Sequence, residues 1–451
     1  MFKSPFYKNL LKIAFPIMIQ YFITSSLNLM DNFMIGRLGE EAVAALGIAN
    51  QYFFLLNIMI MGIYSGCNVL IAQFWGKKDI MSIKKVLGIS LVLGVIVSVG
   101  FTFFGRFFSD EVITIFNKNN EVINLGKNYL ELVCISYVFM AISLAFGIGS
   151  RGVQKAFLPM ICSACALVLN VFFNYVFIFG NFNMPAMGVR GAALATLIAR
   201  VCEMILILFL IYRKDHALKA SVSEMLAFNV EFFKDIMKVT VPVIINELCW
   251  GLGMVIYSVI YGNMGTKAIA AVQICMTVQN MFFIVLFAVS NAACVMVGNE
   301  IGKDDFETAK DYARKLIKIC LVLSLVMGLA LATSSKFILN FYKISHEVYT
   351  SSLYMLLITA FILPVRFINV LLIVGVLRGG GDTSYVLKIE LATMWLVGVP
   401  ICIIGAFILK IAVYEVFFFV TIEEVVKCIL SIKRYRSKKW MKNLVQGINA
   451  V

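Results

Sequence analysis

Twelve separate runs of about 20 predominantly apolar residues constrain this chain more than any other feature. They lie near 13–35, 47–72, 86–105, 128–149, 159–180, 191–212, 239–261, 273–297, 315–333, 352–376, 387–408 and 410–432. Each has the length of a helix that crosses a bilayer, and none alternates polar with apolar residues as a barrel strand does. A backbone in hydrocarbon must satisfy its own N–H and C=O groups, which leaves the α-helix. The chain of 451 residues is 61% hydrophobic and only 14% charged, too few charges to cover a soluble surface. The expected fold class is all-α: a polytopic membrane protein with twelve transmembrane helices and the lipid bilayer as its solvent.

The net charge of +14 would suit a nucleic-acid partner if it formed one patch. It does not. With the runs assigned alternately, 28 of the 39 Lys and Arg fall in connections on one side and nine on the other, while Arg200 and Arg366 fall inside spans. This bias places both termini in the cytoplasm of a multi-pass inner-membrane protein and argues against nucleic acid. No cleavable signal peptide is legible at the N-terminus. The eleven cysteines are scattered through apolar runs, where they serve as small packing residues. Cys162 and Cys165 form one CxxC without a second pair, and the only histidines are His216 and His346, so no metal site is expected.

The sequence repeats itself. FPIMIQYFITSSLNLMDNFMIGRLGEEAVAALGIA, from Phe15, superimposes without a gap on VPVIINELCWGLGMVIYSVIYGNMGTKAIAAVQIC, from Val241. Pro16 meets Pro242, Gly36 meets Gly262, Gly39 meets Gly265, and Ala42, Ala44 and Ala45 meet Ala268, Ala270 and Ala271. The offset of 226 persists to GKKD at 76–79 against GKDD at 302–305, then grows by one at SRG (150–152) against LRG (377–379). The chain therefore reads as an N-terminal six-helix lobe (1–220), a charged cytoplasmic linker (221–238) and a C-terminal six-helix lobe with a basic tail (239–451). Six is even, so both lobes enter the membrane alike, related by a pseudo-two-fold along its normal. Secondary transporters use that plan, with the substrate path between the halves.

Polar residues inside the runs form stripes. Gln20, Thr24 and Asp31 fall within ~40° of one another on the first helix, flanked by Asn28. The fifth aligns Ser163, Asn170 and Asn174, and the eighth aligns Gln273, Thr277, Asn280 and Asn291. Amides of this kind commonly bond helix to helix. An intramembrane acid is different, because it costs about 2.5–3.5 kcal/mol and persists mainly where it titrates, binds an ion or attracts a cation. Among Asp31, Glu131, Glu203, Glu247, Glu390 and Glu415, Glu203 has Arg200 three residues away. Glu131, Glu390 and Glu415 lie near helix ends. Asp31, toward the outer half, and Glu247, just past Pro242, remain. Arg366, after Pro364, is a cation in search of an acid. Trp250, Tyr257 and other aromatic and Met side chains would suit an organic cation, though singly they also suit ordinary packing. Pro16 and Pro242 either bend their helices or mark first turns.

In combination these residues resemble the multidrug and toxic compound extrusion (MATE) transporters along essentially the whole chain. The resemblance rests on Pro16, Asp31, Gly36, Gly39 and Ala44-Ala45, then on Gln73, Gly76 and Asp79 after the second helix. It continues through Asn170-x-x-x-Asn174-Tyr-x-Phe-Ile-Phe-Gly180, the run from Gly188 to Thr196, the seventh helix carrying Glu247, and Gly375-Val-Leu-Arg-Gly-Gly-Gly-Asp382-Thr383. It implies two six-helix bundles around a central cavity, and a secondary antiporter that exports organic cations in exchange for Na+ or H+. It implies no cofactor beyond that ion, no enzymatic activity and a monomer.

Asp31 matches the family's first-helix aspartate implicated in cation coupling, and Asn170 an asparagine near it. Where some members carry a second aspartate, this chain has Asn174, as does a branch in which sodium coupling is known. The expected coupling-ion site is Asp31, Asn170 and Asn174. The expected substrate or second-ion site is Glu247 with Gln20, Thr24, Tyr257, Trp250, Gln273 and Asn280, and with Arg366 and Asp382 as outer candidates. The alternative cargo is a lipid-linked precursor, as in related flippases, which would call for a cavity lined by Arg and Lys. A membrane-embedded enzyme would need a nucleophile–base pair or metal cluster that the sequence does not offer.

Overall fold

The computed structural model describes residues 5–213 and 217–448; His216 lies outside them. Twelve helical segments run in order, numbered here as spans 1 to 12; among the described residues eleven are long and apolar enough to cross a membrane, counting one bent pair as a single span, and the more charged twelfth is not. The first six are Pro5–Ile35, Glu40–Lys77, Ile80–Phe107, Asn120–Val133 with Ser136–Gly152, Phe157–Phe179 and Val189–Arg213. The rest are Val230–Asn263, Thr266–Gly302, Phe306–Leu339, His346–Leu377, Thr383–Ile408 and Val413–Arg436. Span 4 bends by 48° at its break. Span 12 is set apart from the others by charge, carrying Glu415, Glu423, Glu424 and Lys427 along its length and Lys433, Arg434 and Arg436 in its last turn. Span 7 begins at Val230, before the apolar run, because Glu231, Lys234 and Lys238 are good helix formers that reach water.

The chain divides into two compact units. One comprises Leu11–Ile244; the other comprises Ile245–Gly447 with residues 5–10. In the second unit a core runs through Tyr257, Cys275, Met355, Cys402 and Val416. In the first, the connection after span 6 holds a short helix, Val222–Leu226, opened by a capping box between Ser221 and Glu224. Lys84 bonds Glu224 at 2.7 Å and, with the Ser221 N–H, holds its carboxyl below the usual range.

The repeat is written in the backbone as well as the sequence. Gly39 and Gly265 precede spans 2 and 8 with φ of 123° and 122°. Lys78 and Asp304 both take the left-handed conformation at φ 63° and 62°, and the next residues, Asp79 and Asp305, cap spans 3 and 9 by accepting from the Ser82 and Thr308 N–H groups. After the offset grows by one, Gln154 and Gly381 turn the chain at φ 61° and 88°. Pro16 and Pro242 lie inside spans 1 and 7, well past the first turn, so each removes an interior backbone hydrogen bond at the equivalent place in its half of the sequence repeat.

The Gly of each RG pair sets the closeness of two helices. A Cβ on Gly379 would lie 2.5 Å from the Cys294 carbonyl oxygen and 2.8 Å from its Cα; on Gly152 it would lie 2.5 Å from Asn68 Oδ1 and 2.7 Å from Ile71 Cγ2. Asn68 and Cys294 are themselves equivalent at the offset of 226. Gly379→Ala is therefore expected to destabilise the protein by at least about 1–3 kcal/mol, and Gly152→Ala by less, because side chains give way where backbone does not. Thermal unfolding of the two purified variants checks the order; equal losses would contradict it.

Candidate functional site

Spans 1 and 5 run parallel and meet twice, at residues eleven apart on each helix. Asn174 Nδ2 donates to Asp31 Oδ1 at 2.5 Å, and Gln20 Nε2 donates to Ser163 Oγ at 3.0 Å. Eleven residues are about 16 Å of helix, so these are two separate nodes.

At the first node Asn174 Nδ2 also lies 3.0 Å from Asn170 Oδ1, and Asn170 Nδ2 donates to Thr196 Oγ1 of span 6 at 3.2 Å. Both asparagines are fully buried and Asp31 is 9% exposed. Among the described residues no Lys or Arg forms an ion pair with Asp31, and Asn174 Oδ1 is buried without a partner. A carboxylate held by one neutral amide, beside a free carbonyl acceptor, is a place where a proton or small cation supplies what is missing. The three expected coupling-ion residues are thus brought together, and Thr196 joins them.

At the second node Ser163 Oγ donates to Glu203 Oε1 at 2.8 Å, and Arg200 pairs with Glu203 Oε2 at 2.8 Å, as their spacing suggests. The buried Arg151 Nη2 donates to Gln20 Oε1 and its guanidinium lies over the Tyr21 ring. Gln20 therefore joins helices, while Thr24 faces outward and bonds only the Gln20 carbonyl.

The expected substrate site does not assemble around an open Glu247. Arg378, 2% exposed, reaches Glu247 Oε1 at 2.8 Å and Asn246 Oδ1 at 2.8 Å. At the repeat offsets Arg378 is the counterpart of Arg151 and Asn246 of Gln20, so each unit uses one arginine to hold the amide four residues beyond its proline. Arg151 and Arg378 are thus buried clamps, where the sequence had put them in loops. Tyr257 is committed to Glu423 Oε2 at 2.6 Å, because a buried phenol needs an acceptor. Arg366 finds its acid in Glu424 at 3.4 Å and also donates to Gln279 Oε1 at 3.0 Å. Gln273 and Asn280 are exposed on another face of span 8, as is Trp250 on span 7. Asp382, 1% exposed, is held by Arg434 and Lys442, each at 2.6 Å, and so anchors the tail.

Sequence reasoning missed Glu423, Glu424, Lys427 and Gln279. Lys427 sits between Glu390 and Glu423 at 2.9 Å from each. The signal was present: two adjacent acids with a lysine three and four residues on, inside an apolar run.

Two six-helix halves of the repeat, each with a proline-bearing first helix and buried polar nodes inside the membrane spans, define a membrane transporter. The MatE family profile matches residues 16–176 and 242–404, one match in each half. This chain belongs to the MatE family. It is 24% identical over 439 residues to an uncharacterized transporter, YisQ, of Bacillus subtilis, covering 96% of this chain and 95% of that one. It is 24% identical over 449 residues to the "Probable multidrug resistance protein NorM" of Thermotoga maritima (97% and 94% covered). Among solved structures, an outward-facing multidrug resistance MATE transporter superimposes with a TM-score of 0.87 at 19% identity, covering 96% of each chain. A MATE in the bent conformation gives 0.87 at 18%, covering 97% of each. The protein is a multi-pass membrane transporter of this family and not an enzyme.

Proposed function

We propose that this protein is a plasma-membrane antiporter that exports organic cations in exchange for a monovalent cation bound at Asp31, with Asn170 and Asn174 completing the site. Both termini would lie in the cytoplasm. The observation that carries this reading is the isolation of Asp31. Glu131, Glu203, Glu247, Glu390, Glu423, Glu424 and Asp382 all have a basic partner, at 2.6 to 3.4 Å, and Glu415, in the first turn of its helix, accepts from the Ala412 N–H at 3.0 Å. Asp31 has an amide donor and an unused carbonyl beside it. A group so placed binds a cation and releases it when its surroundings change, which is what exchange requires. A flippase for an anionic lipid precursor gains little support, since Arg151, Arg366 and Arg378 are committed to partners within their own units.

The direct test is efflux of a fluorescent organic cation from proteoliposomes with a sodium or a proton gradient imposed separately. Acceleration by one gradient supports antiport; acceleration by neither contradicts it. Asn174→Asp sharpens the choice of ion. Two carboxyls in hydrogen-bond contact cannot both ionise, so the pair is expected to hold a proton, and efflux is expected to become more strongly proton-driven. Unchanged gradient dependence in that variant would place the ion elsewhere.

A further inference from the structure

We propose that Glu390, Glu423 and Lys427 form a proton-binding site in the unit of Ile245–Gly447, one that holds a proton on one of its two carboxyls and is separate from Asp31. The reason is charge. Lys427 Nζ is shared by Glu390 Oε1 and Glu423 Oε1, both at 2.9 Å, with all three side chains buried. One ammonium balances one carboxylate, so the trio carries one negative charge too many for a membrane interior.

The surroundings do not supply the missing charge. The charged and titratable neighbours are Tyr257, Tyr261 and Cys249 of span 7, Arg366 of span 10, and Cys402 and Glu424 of spans 11 and 12. Of these only Arg366 and Glu424 are ionised at neutral pH by their ordinary chemistry, and they pair with each other. Tyr257 donates its phenolic proton to Glu423 Oε2 at 2.6 Å, which favours Glu423 as the carboxylate and leaves Glu390 to carry the added proton.

The place is built to receive it. Asn369, 1% exposed, donates to Glu424 Oε2 at 2.7 Å while its Oδ1 is buried with no partner, and Ser431 Oγ, one turn beyond Lys427, is likewise buried and unpartnered. Gly398 makes the room: a Cβ there would lie 2.0 Å from Tyr257 Oη and 2.3 Å from Glu423 Oε2. Span 11 opens into a widened π-helical turn, Leu391–Gly398, directly after Glu390, and span 10 does so at Leu371–Leu377, directly after Asn369 and Val370. At the repeat offset of 227 the counterpart of Glu390 is Ser163, so this site belongs to one half alone.

The binding does not depend on the antiport reading, although its use in transport does, and the test is chosen accordingly. The full chain in lipid nanodiscs, in potassium buffer, is examined by infrared difference spectroscopy for protonated carboxyl groups. Wild type is expected to show a protonated carboxyl at neutral pH that persists in Asp31→Asn. Glu390→Gln and Glu423→Gln are each expected to lose it, because either leaves one acid on one lysine. Lys427→Met is expected to gain a second, a change of sign that a merely structural role would not give. Retention of the signal in both glutamine variants overturns the proposal, as does its absence from wild type. Loss of the wild-type signal on replacing potassium by sodium overturns it in favour of a sodium site.

Discussion

Asp31→Asn is expected to lower ion-driven export by roughly tenfold or more, the scale of a coupling free energy of 1–3 kcal/mol, without lowering heat stability. The substitution keeps the shape of the side chain. It removes a buried membrane acid that forms no ion pair among the described residues and is bonded by the Asn174 amide at 2.5 Å. Relieving that carboxylate offsets part of the about 2.5–3.5 kcal/mol an intramembrane acid costs. Transport and stability should therefore move in opposite directions, as they do where a site is maintained against the interest of the fold. Proteoliposome efflux with an imposed gradient, together with the thermal midpoint of the same preparation, checks both halves. Export as fast as wild type, with unchanged ion dependence, would remove Asp31 from the mechanism. A large loss of stability would mean that the carboxylate is structural.

The fold was legible because eleven of the spans announce themselves by length and apolarity, and because the two halves repeat at an almost constant offset. The repeat did more than count helices. Gly39 with Gly265, and Asp79 with Asp305, mark equivalent turns and caps, and within each pair the φ angles agree to about a degree. Helical spacing also brought Asp31, Asn170 and Asn174 to one place, since two parallel helices with polar residues at matching intervals of eleven meet at both.

What the sequence did not reveal is pairing across the fold. Glu247 reads as an open acid because its partner, Arg378, is 131 residues away and looks like a loop charge next to three glycines. Tyr257 reads as a substrate contact for the same reason: Glu423 lies 166 residues on. Periodicity tells which residues share a face, and it is silent on which face of another helix they meet. Lys427 shows a second limit. Counted as a positive charge of the tail, it is in fact drawn into the unit by two carboxylates, and charge counting assigns a side by sequence position alone.

The second large effect follows from the arginine clamps. Arg378→Met is expected to cost about 3–5 kcal/mol, toward the lower end because Glu247 is a quarter exposed and can still be reached by water. The variant strands Glu247 and leaves Asn246 Oδ1 without its donor. Glu247→Gln should cost less, since Arg378 retains Asn246 and an amide oxygen can still accept. Combining the two should restore roughly 1 kcal/mol or more relative to Arg378→Met, the non-additivity expected of groups in direct contact. Arg151→Met, at the equivalent place, should cost less than Arg378→Met: among the described residues its partners are the neutral Gln20 and the Tyr21 ring, so no carboxylate is left behind. Thermal unfolding in detergent, followed with a thiol-reactive dye that reports exposure of the buried cysteines, measures all four. Additive losses in the double variant would show that the Arg378–Glu247 contact carries no energy of its own. If Arg151→Met proved the more damaging, the clamp would be a packing device in both units, and the charge on Glu247 would be free to serve a substrate after all.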